Sequence, residues 1–207
     1  KTNLRDTVAM REPIREWRRC LQSTIRQAGY WCFLSLYRVR RLLDKVILPG
    51  VGSFGQAMEN LHTYGLVPVI HEIVEKKTPF LGICLGLQLL FESSEETPGV
   101  EGLGILKGKI VKIPPAPGLK IPHMGWNSLH FQNNGRLFQG IPEQTYVYFV
   151  HSYYLKAKEE QIVKATTEYG AHIHASVEMD NVFACQFHPE KSSDVGLQIL
   201  KNFVELS

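Results

Sequence analysis

The sequence predicts an α/β fold: a mostly parallel central sheet flanked by helices, with an added region of antiparallel strands. Three observations predict it. Lys45-Val46-Ile47-Leu48 runs into a glycine-rich loop, helical text from Met58 to Lys76 follows, and a second short apolar run, Phe80-Leu81-Gly82-Ile83, comes next. Strand, loop, helix and strand in that order is the rhythm of a parallel sheet wrapped by helices. Residues 105–187 then change to alternating patterns with turn residues between them, which marks antiparallel strands. The chain closes on a helix expected from Asp194 to Leu206, with Val195, Leu197, Ile199, Leu200, Phe203 and Val204 supplying its apolar positions.

The 207 residues suffice for one domain with a sizeable core, and 44% hydrophobic with 21% charged residues is ordinary for a globular chain. No apolar run approaches the length of a membrane span, and Lys1–Asp6 has no apolar stretch behind it that would make a signal peptide. The four cysteines, Cys20, Cys32, Cys84 and Cys185, show no Cys-x-x-Cys spacing. That argues against a disulfide framework or a zinc site and favours a reducing cytoplasm, with no metal or cofactor expected.

The net charge of +3 hides a break in composition. Residues 1–45 hold eleven basic and four acidic side chains, a net +7, which leaves −4 for the other 162 residues. Nine of the ten arginines precede residue 42, Arg136 being the later one. Residues 1–43 are therefore set apart as an atypical Arg-rich segment, and 44–207 as the functional domain. Within the first segment a helix is expected from Ile14 to Gln27 and a strand over 30–37. The basic tract with aromatic residues matches no recognisable nucleic-acid module, and basic helices are more often solvated faces.

The chain's central stretch is Pro79 to Leu90. Cys84 stands where the second apolar run meets a helical one, and Gly82 and Gly86 flank it two residues to each side. That is the pattern of a nucleophile elbow, Gly-x-Nuc-x-Gly, in which the nucleophile takes a strained backbone conformation and side chains at the flanking positions would collide with their neighbours. The helix N-terminus behind it favours a thiolate. The plain alternative is a buried structural cysteine; the double-glycine frame argues against it. The loop Pro49-Gly50-Val51-Gly52-Ser53-Phe54-Gly55 fits neither a P-loop nor the dinucleotide fingerprint, and reads better as a donor of backbone N–H groups to an oxyanion.

A thiol nucleophile needs a base, and the base an orienting group. Of eight histidines, His62 and His71 fall on polar helix faces, His130 on a strand edge, and His172 and His174 on an alternating strand. His188 differs. Gln186-Phe187-His188-Pro189-Glu190 follows directly on the apolar run Val182–Cys185, at a strand end where α/β sheets collect reacting groups. Pro189 fixes the backbone, and Glu190 is placed to hold the imidazole tautomer. His151 is the rival base, but it lies within the aromatic run 144–154, expected to be one long strand, where packing or contact is the better reading. Further strands are expected over Lys107–Ile113, Glu160–Thr167, His172–Val177 and Val182–Phe187, with a turn at Asn133-Asn134-Gly135.

Taken together, Pro49-Gly50-Val51-Gly52, Gly82-Ile83-Cys84-Leu85-Gly86-x-Gln88 and Gln186-Phe187-His188-Pro189-Glu190 resemble the class I (triad) glutamine amidotransferases, over about residues 44–207. Pro122-His123-Met124-Gly125-Trp126-Asn127, Tyr148–Tyr154 and His188–Ser192 are similar to the histidine-biosynthesis branch of that family. The anthranilate synthase and GMP synthetase branches explain these last stretches less well. The resemblance implies a flavodoxin-like sheet and a Cys84, His188, Glu190 triad that releases ammonia from glutamine through a thioester. It implies oxyanion donors at Leu85 and the Val51–Gly52 loop, and a glutamine site of Gly50, Gln88, Ser152 and Tyr153. It further implies a heterodimer with a (β/α)8-barrel synthase subunit near Trp126, Asn127, His151 and Tyr154.

The family opens on an apolar first strand and a Gly-Asn-Leu turn, which residues 1–43 do not show, although Gly50 stands at the expected distance from the start. Right length with foreign text suggests that parts of this segment are translated out of frame, with compensating shifts near residues 5–20 and 31–43. Reading the coding DNA in its other frames tests this. A chain built as written is expected to fold weakly and act poorly, or to persist as a non-catalytic, partner-binding remnant, because a missing central strand removes several kcal/mol of apolar burial.

Overall fold

A computed structural model describes residues 45–131 and 135–206. The expectations for 1–43 and most of the 133–135 turn lie outside the described residues. From Lys45 onward the predicted order holds. Strand β1 (Val46–Gly50) leads into helices α1 (Phe54–Thr63) and α2 (Leu66–Glu75), then β2 (Phe80–Cys84) and the short α3 (Leu85–Leu89). β1 and β2 pair in parallel with Gly50 opposite Cys84, and β11 (Val182–Cys185) pairs in parallel on the other side of β2 with Cys185 opposite Ile83. Both β2 and β11 are buried along their whole length, as strands covered on both faces must be.

Beyond β11 the sheet turns antiparallel. β10 (His172–Met179) pairs with β11, β9 (Val163–Glu168) with β10, and β6 (His130–Phe131) with β9. The order of the six-stranded sheet is therefore β1-β2-β11-β10-β9-β6. Two smaller sheets carry the rest: β3 (Ser93–Ser94), β4 (Gly108–Lys112) and β8 (Tyr153–Ala157) in one, β5 (His123–Ser128) and β7 (Tyr146–His151) in the other.

The expected single strand over 144–154 is thus two. The chain breaks at Ser152, β7 pairing with β5 and β8 with β4. Periodicity cannot show this, because alternation continues through the corner while the pairing partner changes. The strand expected to begin at Glu160 begins at Val163, after a 3-10 turn over Glu160–Ile162.

Helices cover both faces of the large sheet. On one side Phe54, Ala57, Met58 and Leu61 bury the i, i+3, i+4, i+7 stripe of α1 with Leu48, Phe80 and Leu87. On the other, α4 (Ser193–Glu205) buries Ile199, Leu200 and Phe203 with Phe149, Phe183 and Phe187. Each such side chain contributes about 1.5–3 kcal/mol of apolar burial. The break between α1 and α2 falls at Gly65, whose φ of +64° suits glycine. Pro68 sits in the first turn of α2, where its missing N–H costs nothing.

Two ends of the helical layer are tied by distant residues. The Phe54 N–H donates to Glu96 Oε2 at 2.7 Å, which places a carboxylate at the start of α1. Asn181 Nδ2 donates to the Val74 and Thr78 carbonyls at 3.1 and 2.8 Å, closing the end of α2 beside β11.

Candidate active site

The carboxyl ends of β1, β2 and β11 lie side by side, and each delivers one part of the site. β2 delivers Cys84. Its backbone sits at φ 55°, ψ −110°, a conformation that costs a non-glycine residue about 1–3 kcal/mol and that packing must enforce. Packing does so. A Cβ on Gly82 would lie 2.7 Å from the Gly86 carbonyl oxygen, and one on Gly86 would lie 1.8 Å from the Leu48 carbonyl oxygen. The elbow is therefore pressed against β1 so closely that only glycine fits. A Cβ on Gly50 would meet the Leu85 Cβ at 2.9 Å, so the β1 loop leans on the same turn. Val51 and Gly52 are exposed just beyond it, Gly52 at φ +100°. The expected helix behind Cys84 has only five residues, so its dipole is small and the nearby histidine is the stronger influence.

β11 delivers His188, whose Nδ1–H donates to Glu190 Oε1 at 2.7 Å; both side chains are almost wholly buried. That bond leaves Nε2 for Cys84. Burial alone would pull the imidazole's pKa down, but the Cys84 sulfur and the Glu190 carboxylate outweigh it and raise it to about 9. The histidine is also clamped through its backbone. Its N–H donates to the Tyr148 carbonyl at 2.9 Å, and its carbonyl accepts the Ser192 hydroxyl at 2.7 Å. The same Ser192 oxygen accepts the Tyr148 N–H at 3.0 Å. Ser192 thus ties β7 to the His188 turn, a role its place in the sequence does not announce.

The β7–β8 corner covers the thiol: Cys84 Sγ lies 3.7 Å from the Val150 carbonyl oxygen. His151 ends β7 at the same corner. Its Nδ1 faces the Tyr153 carbonyl at 3.0 Å and its Nε2 faces His123 Nδ1 at 3.0 Å. A carbonyl only accepts, so Nδ1 of His151 carries the proton, Nε2 accepts from His123, and His123 Nε2 faces the Asn127 amide at 3.5 Å. Both ring nitrogens of His151 therefore have partners within the fold.

Burial pushes His123 down to about 4, and burial with His123 alongside pushes His151 down to about 3. Each folded value lies below the unfolded 6.5, so the stability this pair contributes is present above about pH 6.5 and is lost as pH falls through 4 and then 3. At roughly 1–3 kcal/mol per ring, the melting temperature is expected to drop between pH 7 and 4. A His123→Asn chain, less stable at pH 7, is expected to show a shallower drop; equal slopes in the two chains would refute this.

Of the four residues expected at a partner face, the structure places Trp126 on the surface, half exposed beside Met124, with Tyr148 opposite it in register. Asn127 points to the inner face, its amide donating to the Glu168 carbonyl at 3.0 Å. His151 and Tyr154 are buried. The alternation along β5 explains the split: His123 and Asn127 share one face, Met124 and Trp126 the other. Gln88 is buried, and its Nε2 donates to the Tyr153 carbonyl and to Gln186 Oε1 at 3.0 and 3.2 Å. With both donors used, it has only its carbonyl oxygen to offer a ligand. Ser152 and Tyr153 are half-buried at the corner. Among the described residues no cluster of His, Cys, Asp or Glu could hold a metal ion, and no helix is long and apolar enough to cross a membrane.

An elbow cysteine, a carboxylate-held histidine and a glycine-rich loop thus stand at adjoining strand ends. The model of the glutamine amidotransferase class-I family matches residues 40–206, and the chain belongs to that family. Its curated relatives include "Imidazole glycerol phosphate synthase subunit HisH" of Moorella thermoacetica, 55% identical over 161 residues, 78% of this chain and 76% of the relative. The subunit of the same name from Methanocaldococcus jannaschii is 54% identical over 163 residues, 79% and 81% of the two chains. A crystal structure of a glutamine amidotransferase superposes with a TM-score of 0.58 at 22% identity, covering 78% of this chain and 80% of that one, a likeness of fold.

Proposed function

We propose that the chain is the glutaminase subunit of an imidazole glycerol phosphate synthase, hydrolysing glutamine to glutamate and passing the ammonia to a HisF-type (β/α)8 synthase subunit in the cytoplasm. The observation that carries the reading is the buried 2.7 Å His188–Glu190 pair beside the elbow cysteine, in a chain 55% and 54% identical to two HisH subunits over 161 and 163 residues. Cys84 attacks the side-chain amide carbon of glutamine, forming a C–S bond. His188 gives its proton to the nitrogen as the C–N bond breaks, and ammonia leaves. His188 then takes a proton from water, which attacks the thioester and frees glutamate and the thiol. Glu190 keeps the imidazole in the tautomer both steps use.

The Leu85 N–H and the Val51–Gly52 loop serve as oxyanion donors, since Gly50, which leads into that loop, packs on Leu85. Gly50, Gln88, Ser152 and Tyr153 bound the glutamine site. The single acceptor Gln88 has left suits the ammonium end of the substrate. Ammonia protonates in water, so a docked partner that excludes solvent delivers it neutral.

The partner face is the outer side of β5 and β7, where Met124, Trp126 and Tyr146 are exposed at 63%, 51% and 60%. Trp126→Ala is expected to weaken binding of the barrel subunit about tenfold or more, read by titration calorimetry; unchanged affinity would move the interface elsewhere. The function itself is tested by ammonia release from glutamine with and without the barrel subunit. Release that rises with the partner supports it. A folded, partner-binding but inert chain would instead be the non-catalytic remnant.

A further inference from the structure

Gln186 has no part in the scheme above, yet it is fully buried and its Nε2 lies 3.8 Å from the Cys84 sulfur. We propose that the Gln186 side-chain amide is a donor to the reacting sulfur, holding Cys84 as a thiolate in attacking position, with its orientation dictated by Gln88 and the Tyr153 carbonyl. The inference rests on Cys84 being the nucleophile and adds a residue to its site.

The direction of this amide follows from a chain of bonds that cannot be reversed. The Tyr153 carbonyl accepts twice, from His151 Nδ1 and from Gln88 Nε2, each at 3.0 Å. A main-chain carbonyl cannot donate, so Gln88 must turn its NH2 toward it. The second N–H of Gln88 then meets Gln186 Oε1 at 3.2 Å. A flipped Gln186 would oppose two NH2 groups, a repulsion in place of a bond, and turn its oxygen onto the sulfur. Gln186 is therefore locked with N–H toward Cys84.

The sulfur has a competing contact, the Val150 carbonyl at 3.7 Å, which accepts from a thiol and repels a thiolate. A donor on the sulfur offsets that repulsion, and a hydrogen bond to the charged form favours it. The titratable groups around the sulfur are His188 with Glu190, and Cys185. None is altered by changing Gln186.

The test is the pH dependence of iodoacetamide alkylation of Cys84 in the full chain, with the modified residue assigned by mass spectrometry. Gln186→Met keeps the length and removes the donor; Gln186→Glu turns oxygen toward the sulfur. Both are expected to raise the pH of half-maximal alkylation, Gln186→Met by about one unit, and to lower kcat for glutamine about tenfold with little change in KM. A folded Gln186→Met chain with the wild-type alkylation profile overturns the proposal. Should neither variant fold, the wild-type Gln186 side-chain amide decides by NMR: its resonance moves across the alkylation transition, or stays fixed and the proposal fails. Alkylation needs no substrate, so a chain that fails to hydrolyse glutamine would overturn the functional reading and leave this test intact.

Discussion

Cys84→Ala is expected to lower partner-stimulated ammonia release from glutamine about ten-thousand-fold or more while leaving the fold and partner binding in place. The size follows from the site's construction. Nucleophile, base and orienting carboxylate act as a unit, so losing the nucleophile removes the covalent path entirely, and what survives comes from oxyanion donors acting on water. The cysteine's own environment makes the variant informative. Cys84 holds φ 55° because Gly82 and Gly86 are packed around the turn rather than because of its sulfur. Alanine can occupy the same strained position, and a circular dichroism spectrum and partner affinity close to wild type are expected. Residual release within about tenfold of wild type would show that another group attacks the amide. His188→Asn is expected to follow Cys84→Ala closely, since the two operate in one step.

Gly86→Ala is expected to cost about 3 kcal/mol or more in urea denaturation. The new Cβ would stand 1.8 Å from the Leu48 carbonyl oxygen and 3.5 Å from the Leu48 side chain, with no side-chain movement able to make room. The obstacle is backbone, so either β1 or the Cys84 turn must shift, and overpacking against an immobile backbone sits at the upper end of small-to-large costs. Activity should fall with stability, because the shift moves Cys84 relative to His188 on the neighbouring strand. A Gly86→Ala chain within about 1 kcal/mol of wild type would mean that the elbow is looser than the contacts imply.

The parts of this site that were legible in the sequence are those written locally. Gly82, Cys84 and Gly86 form one turn, and a turn's steric needs are visible in five residues. His188, Pro189 and Glu190 likewise carry their own geometry, since a carboxylate two residues from an imidazole reaches it without help from the rest of the fold. The parallel pairing of β1 with β2 followed from apolar runs joined by helices; that of β11 with β2 did not, since β11 lies in the stretch expected to be antiparallel. The contacts that needed tertiary structure were not legible. Ser192 meets the Tyr148 N–H of β7 across 44 positions, and Glu96 meets the start of α1 across 42. The corner at Ser152 was hidden because both halves of the run alternate, and which partner each half takes depends on strands far away. That His151 and Tyr154 are buried was hidden for the same reason: a run of aromatic residues does not say which faces out. Gln186 was quoted within its motif but given no task, since its bond to Cys84 spans 102 positions.

Trapping the acyl intermediate tests the central claim most directly. The chain and its barrel partner are mixed with glutamine, quenched in acid within the first turnovers, digested and read by mass spectrometry. The account predicts one glutamyl group on the peptide that carries Cys84, labile to hydroxylamine as a thioester is, and absent from Cys84→Ala. Ammonia release at the wild-type rate with the adduct on another residue would contradict it.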